Sequence, residues 1–509
     1  MTQAVDAFIA RARLDYRQAL TWDTAEIEDA VASLPVPPPI FHDRLRRSQQ
    51  ICVVIGAHKR RFAFYNDMGT GKSLIGMALA AYFAAAEDAG PFIVLVPNRV
   101  NIRGWLDQVR KHAPEIKAVA MPSNMADKRE LLATTDALLV IETYAGFSRM
   151  CSEKIGKKLI PNSTTMLAVG QQIGGLIVDE SSAIGNYKSL QTEVVRRLAE
   201  QNEDLCVFLL SGTPFGRDPH LLWPQMHILD GGWTLGKTLG IFRATFFNTT
   251  INNWGGYEYE FKQKQTKLLH RCIAHRSIRF ALDQADLPAV TPVRIDLNLA
   301  AEASELYDAA LAQMRAARGN YELCKNAFIR LRQISSGFVN LKDPETGARE
   351  QIEFKDNPKL EWIRSQLGAM DGQIILFHDF IYSGTMLKRT LDEMAVSNCI
   401  INGQITGKEM DKAYDDFTRG RKQVLLLNSA AGAYGVNLQM ARYGIYYESP
   451  VPVIIRKQTE LRFIRPGSEH QKVVKVDLVV SGTVDEAILQ FHVEGADLFK
   501  AILDGSFKL

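Results

Sequence analysis

The segment Met68-Gly69-Thr70-Gly71-Lys72-Ser73 puts two glycines, a lysine and a hydroxyl in a spacing that wraps a phosphate. An apolar run, Phe62 to Tyr65, precedes it and the helical pattern Leu74 to Phe83 follows, so the turn joins a strand to a helix. Gly69, Thr70 and Gly71 can turn backbone N–H groups onto phosphate oxygens, and the start of the helix adds its own free donors. Lys72 is placed for the β- and γ-phosphates and Ser73 for magnesium, so ATP and Mg2+ are the expected ligands. The strict G-x-x-x-x-G-K-[ST] pattern is broken at its first glycine, where Asn66 stands.

Three further groups could complete the chemistry. Asp179-Glu180 follow the strand-like Gly175 to Val178. Asp179 would hold Mg2+, and Glu180 would orient and deprotonate the attacking water. Ser211-Gly212-Thr213-Pro214 also ends an apolar run, and reads either as a plain turn or as a hinge sensing the catalytic carboxylates. Far downstream, Gln458, Arg462 and Arg465 are spaced by four and three, which on a helix gives one face. Such a pair of arginines can neutralise charge building on a γ-phosphoryl group; the plainer alternative is a solvated basic face.

The elements that must position these groups fall into two series. Apolar runs near 62–65, 92–96, 137–141, 175–178 and 205–210 alternate with helical stretches, the pattern of a parallel sheet covered on both faces. In such sheets ligands sit beyond the carboxyl ends of the strands, where the motifs lie. A second series runs through 374–377, 399–401, 424–427, 443–447 and 473–479, with no phosphate loop of its own. The expected organisation is an N-terminal helical arm with a Pro-rich linker (1–40), a first domain (41–225), a connector with helical protrusions (226–355), a second domain (356–490) and a helical tail (491–509). With one phosphate loop for two domains, the ATP site is expected in an interdomain cleft completed from the second.

Composition narrows the setting. The chain has 509 residues, enough for two large domains, and 46% hydrophobic residues, ample for buried sheets. A net charge of +3 permits nucleic-acid binding without demonstrating it. Six scattered cysteines with no C-x-x-C argue for a reducing compartment and against a zinc module. No apolar run approaches the roughly 18 residues of a membrane span. The stretch from Ala4 to Leu20 reads as a packed amphipathic helix rather than a targeting peptide, because it carries Asp6 and Asp15.

In order and content these motifs resemble the superfamily 2 helicase-like ATPases, most closely SNF2-type DNA translocases in the compact form carried by phages and prophages. The likeness spans roughly residues 41–490. Leu45 to Gln49 looks like the adenine-reading segment, with Gln49 on the base, and Asn66 to Ser73 like motif I. Asp179-Glu-Ser-Ser182 is similar to motif II and Ser211 to Pro214 to motif III, whose following helix begins at Leu222-Trp223. Leu376 to His378 resembles motif IV, and Asn428 to Gly432 with Gly435 to Leu438 motif V. Gln458 to Gly467 resembles motif VI, and Thr483-Val-Asp-Glu486 the closing segment. The resemblance implies two RecA-like domains, nucleotide contact by Gln458, and coupling through Ser211, Gly212, Thr213 and Gly435. Two departures stand out: Ser181-Ser182 replace the Gly-His or Ala-His common in relatives, and Ser468 replaces a Gln.

The implied function is DNA-stimulated ATP hydrolysis driving translocation along duplex DNA, by a monomeric motor in the cytoplasm of a bacterial or phage-infected cell. Replication or recombination proteins are possible partners, and no membrane is expected. Candidate DNA contacts are Asn98, Arg99, Arg103 and Thr143 in the first domain and Gly403 and Ser429 in the second. Phosphate contacts would dominate, giving little sequence preference. The basic run Lys262, Lys264, Lys267, Arg271, Arg276 and Arg279 either grips DNA or flanks the hinge. Trp254 and Tyr257 read as packed rather than base-stacking residues, and His378 as structural. A strand-separating helicase and a nucleotide-switched scaffold without sustained turnover are the alternatives. No chromatin-reading appendage is recognised, so the chain reads as close to a bare motor.

Overall fold

A computed structural model describes residues 24–215, 218–251, 256–282, 287–317, 320–342, 349–405, 407–432 and 437–494. The expected helix at 4–20, Trp254 and Gly435 lie outside these residues. The chain divides into two compact units at Asp283/Gln284.

In the first unit the strands are β1 (Arg61–Phe64), β2 (Phe92–Val96), β3 (Ala118–Ala120), β4 (Leu139–Thr143), β5 (Ser152–Ile155), β6 (Lys158–Pro161), β7 (Gly175–Asp179), β8 (Cys206–Leu210), β9 (Phe247–Ile251), β10 (Tyr257–Phe261) and β11 (Ser277–Ile278). Seven of them form one sheet in the order β11-β1-β8-β7-β2-β4-β3, every described pairing parallel. β2 and β8 are buried along their whole length, as their unbroken apolar runs Phe-Ile-Val-Leu-Val and Cys-Val-Phe-Leu-Leu require. β5–β6 and β9–β10 are separate antiparallel hairpins.

The second unit holds β12 (Ala289–Leu297), β13 (Phe338–Lys342), β14 (Arg349–Glu353), β15 (Gln373–His378), β16 (Asn398–Ile401), β17 (Val424–Asn428), β18 (Ala441–Tyr446) and β19 (Lys472–Val480). Its main sheet is also parallel, ordered β12-β19-β18-β15-β17-β16.

The stretch expected as a connector, 226–355, is therefore shared out between the units. β11 closes the first sheet beside β1, and β12 opens the second beside β19. Both are sheet edges. β12 alternates exposed and half-buried residues and carries Pro292, so it lacks the unbroken apolar run that marks a central strand. The helix Thr24–Ala32, expected in a separate arm, buries Ile27, Ala30 and Val31 in the first unit's core.

The closing segment owes its residues to packing. Lys359 is wholly buried, with Nζ 2.9 Å from the Tyr447 carbonyl oxygen and 2.7 Å from Asp485 Oδ2. Asp485 also accepts from Ser335 Oγ and the Val480 N–H. Removing the ammonium strands a carboxylate in the interior, which costs about 3–5 kcal/mol. Lys359→Met should lower the urea midpoint of the second unit accordingly, and adding Asp485→Asn should recover part of the loss. An unchanged midpoint would show that the pair does not anchor the segment.

Candidate active site

Parallel pairing lines up the carboxyl ends of neighbouring strands. Phe64 of β1 lies opposite Leu210 of β8, and Leu210 opposite Asp179 of β7. The segments leaving these strands, 65–71, 211–214 and 179–182, thus emerge side by side at one level. Val96 and Thr143 end β2 and β4 in the same way.

The phosphate loop turns on Gly69 and Gly71, at φ 83° and 78°, the left-handed region that glycine occupies without strain. Gly71 caps the helix Lys72–Glu87. Lys72 Nζ donates to the Asn66 and Asp67 carbonyl oxygens at 2.9 and 3.0 Å. Gln49, expected on the adenine, lies against this loop: its Nε2 donates to the Thr70 oxygen at 2.9 Å, and its Oε1 accepts from the Arg46 N–H. A Cβ at position 71 would sit 2.2 Å from Gln49 Nε2.

The loop is also held from the far end of its unit. Asp67 Oδ1 accepts from Arg279 at 2.9 Å, and its Oδ2 from the Leu282 N–H. Asn66 Oδ1, at the position of the missing glycine, accepts from the Phe280 N–H at 3.0 Å. The asparagine supplies an anchor that a glycine lacks.

At the end of β7, burial and the neighbouring Glu180 raise the Asp179 carboxyl to about 6, against the opposing pull of Trp105 and Lys72. Trp105, on the helix Arg99–His112, donates Nε1 to Asp179 Oδ2 at 2.8 Å. Tyr144 donates to the Asp179 carbonyl oxygen at 2.6 Å. Glu180 sits at φ 51°, ψ 56°, a left-handed conformation that costs a non-glycine residue about 1–2 kcal/mol. Its buried Oε2 has no hydrogen-bond partner among the described residues. A strained backbone carrying an unsatisfied carboxylate oxygen suits a group that acts on a water or a metal-bound ligand. Two adjacent carboxylates with the Lys72 ammonium near Asp179, and a hydroxyl next in sequence at Ser73, are chemistry that fits Mg2+ and a triphosphate. Gly212 belongs to the same cluster, since a Cβ there would lie 3.5 Å from Lys72 Nζ. Ser211 Oγ accepts from the Thr213 N–H at 3.1 Å, and the buried Thr213 hydroxyl has no partner among the described residues.

In the second unit, Gln458 and Arg462 lie on the helix Val453–Phe463, but Arg465 lies past its end. The expected single helical face is thus broken, because Pro466 disfavours helical backbone at the residue before it. Burial, and after it the Arg462 charge, lower the Arg465 guanidinium to about 10. The helix is pinned by a residue the sequence reading passed over. Arg456 stacks 3.4 Å over the Tyr446 ring and pairs with Asp477 at 2.6 Å and Glu460 at 2.7 Å.

Two of the expected DNA contacts are helix caps and the others are not. Asn98 and Thr143 cap the helices Arg99–His112 and Tyr144–Met150. Arg99 is exposed, and Arg103 lies on the next turn of the same helix. Gly403 is open, with nothing near its missing Cβ, while Ser429 is buried with its hydroxyl unpartnered among the described residues. In the basic run, Arg276 faces Asp230, Arg279 pairs with Asp67 and Lys262 donates to two carbonyl oxygens, whereas Lys264, Lys267 and Arg271 are exposed. Tyr257 is 65% exposed on its hairpin, contrary to the packed position expected. His378, expected to be structural or backbone-contacting, is fully buried, with Nδ1 2.9 Å from the Phe380 carbonyl oxygen and Nε2 unpartnered among the described residues.

Two family models match the chain in succession. The chain matches the SNF2-related domain over residues 57–342 and the helicase conserved C-terminal domain over 358–467. It is 24% identical to YwqA of Bacillus subtilis, over 83% of this chain and 44% of that protein. It is 21% identical to the ISWI chromatin-remodeling complex ATPase ISW1 of Saccharomyces cerevisiae, over 89% of this chain and 40% of that protein. The chain thus spans less than half the length of these relatives. The Sulfolobus solfataricus SWI2/SNF2 ATPase core in complex with dsDNA aligns over 92% of this chain and 95% of that one, at 20% identity and a TM-score of 0.38.

Trp105 carries a prediction of its own. Trp105→Phe keeps the packing but removes the hydrogen bond to Asp179, and should raise severalfold the Mg2+ concentration needed for half-maximal binding of a fluorescent ATP analogue. An unchanged Mg2+ titration would separate Trp105 from the metal-holding group.

Proposed function

Because the chain belongs to the SNF2-related family of helicase-like ATPases, we propose that it hydrolyses ATP in response to DNA and uses the energy to move along duplex DNA. The observation that carries this reading is the register that brings 65–71, 179–182 and 211–214 to one level of the first sheet. There Lys72 binds the β- and γ-phosphates, with the backbone of Gly69, Thr70 and Gly71. Ser73 and Asp179 hold Mg2+, which supplies charge neutralisation on the phosphates when bound. Glu180 orients the attacking water and takes its proton. Gln49 and Gln458 serve nucleotide recognition, Gln49 through its grip on the loop. Ser211, Gly212, Thr213 and Gly435 carry the nucleotide state onward.

Arg462 and Arg465 neutralise charge on the transferred phosphoryl group. A guanidinium whose charge is disfavoured by burial and then by a second arginine gains from an anion that approaches during the reaction. The DNA track is assigned to Asn98, Arg99, Arg103 and Thr143 and to Gly403 and Ser429, which lie at or just beyond the carboxyl ends of strands, as the resemblance implies. Among the described residues no helix is long and apolar enough to cross a membrane. Monomeric action, a cytoplasmic setting, a phage or prophage source and replication or recombination partners complete the proposal, on the strength of the resemblance.

Purified protein should release phosphate from ATP with Mg2+, faster when duplex DNA is added. Lys72→Ala should abolish nucleotide binding, while Glu180→Gln should keep binding and lose turnover by about 100-fold or more. Arg462→Ala and Arg465→Ala should depress kcat far more than ATP affinity. ATP-dependent displacement of a triplex third strand with a forked duplex left intact supports translocation. Robust fork opening would promote the strand-separating helicase instead, and activity on neither, with no DNA-stimulated phosphate release, the nucleotide-switched scaffold.

A further inference from the structure

The helix Leu222–Asp230 is apolar over its first turns, Leu-Trp-Pro-Gln-Met, except for one amide. Gln225 is wholly buried, and both ends of its side chain are saturated. Its Oε1 accepts from Ser181 Oγ at 2.8 Å and from the Tyr65 hydroxyl at 3.2 Å. Its Nε2 donates to the Pro214 carbonyl oxygen at 2.6 Å and to that of Leu221 at 2.7 Å. The two carbonyl oxygens can only accept, so the NH2 must face them and the orientation of the amide is fixed.

These partners are not a random sample of the core. Tyr65 is the first residue of the phosphate-loop segment, Ser181 directly follows the strained Glu180, and Pro214 ends the Ser-Gly-Thr-Pro segment. One side chain therefore bonds to all three segments that converge on the candidate active site. Ser181 is itself fully buried, and its hydroxyl donates to the Gln225 oxygen.

We infer that Gln225 is a positioning residue for ATP hydrolysis: through Ser181 it sets the backbone at Glu180, and through Pro214 it ties that setting to the 211–214 segment. The inference rests on the hydrolytic function proposed above. The amide is short and has no slack. A displacement of Pro214 pulls on Nε2, and the same rigid group carries it to Oε1 and on to Ser181. Glu180 is the residue most sensitive to such a shift, since its conformation is held against its own backbone preference. Loss of the amide should therefore impair turnover and its stimulation by DNA more than it impairs nucleotide binding.

The test compares wild type, Gln225→Leu, Ser181→Ala and the double variant by steady-state ATP hydrolysis with and without duplex DNA, alongside thermal melting. Gln225→Leu should lower kcat at least 10-fold with the KM for ATP within twofold, and should reduce the ratio of DNA-stimulated to basal rate. Ser181→Ala should lower kcat at least threefold without a change in melting temperature. The double variant should be no slower than Gln225→Leu alone, because both remove one linkage. Should Gln225→Leu fail to fold, Ser181→Ala carries the test, since it deletes a single hydroxyl. Rates within twofold of wild type in Ser181→Ala and in any folded Gln225→Leu would overturn the inference and leave the hydrolytic function intact. So would parallel losses of kcat and ATP binding. A wild-type chain that releases no phosphate would instead overturn the proposed function, and this inference with it.

Discussion

Asp179 and Glu180 place two carboxyl groups on consecutive residues at the end of a buried strand, where burial and the Glu180 charge oppose the ionisation of Asp179. Much of the first unit's local structure can be understood as containment of that repulsion. Trp105 Nε1 and the Glu180 N–H both donate to Asp179. Lys72 supplies a nearby positive charge that favours the ionised form. Glu180 itself takes left-handed backbone. Even so, burial and repulsion keep the Asp179 carboxyl raised, so the pair remains a poor match for a purely structural role. In the proposed function a divalent cation would satisfy that charge, and the glycine turn and lysine would receive the cation's phosphate partner.

The second unit solves a related problem with opposite sign. Arg465 is buried with Arg462 as a like-charged neighbour, while Arg456, six residues before Arg462 on the same helix, is neutralised by Asp477, Glu460 and a tyrosine face. The contrast separates two kinds of arginine that look alike in sequence. The neutralised one fixes the helix to its sheet. Arg465 carries a charge that burial disfavours, and in the proposed function that charge meets the transferred phosphoryl group.

Much of this was legible from the residues alone. Strand positions followed from unbroken apolar runs, and the motif segments from their places at the ends of those runs. The edge strands β11 and β12 were not legible, because one is two residues long and the other alternates like a half-exposed strand, so the connector was drawn too wide. Arg465 was placed on a helix because spacing was counted without the proline that follows it. Trp105, Gln225 and Arg456 escaped notice for one shared reason. Each acts through a partner between 4 and 160 residues away, and no local pattern marks a tryptophan, an amide or an arginine whose meaning lies in what it touches. Gln225 did leave a trace, as a lone amide in an apolar helix.

The fastening of the phosphate loop to Arg279, Phe280 and Leu282 bears on the order in which the chain becomes competent. The bonded residues are 212 to 215 positions apart, and β11, which precedes this anchor, pairs with β1 across a similar distance. During synthesis the loop emerges long before the segment that holds it, so its glycine turn spends that interval without its clamp. Contacts this remote close late, since they bear the entropy of a very long loop. The glycine-rich turn is local in sequence, yet the shape that would receive a triphosphate is among the last features the first unit can acquire.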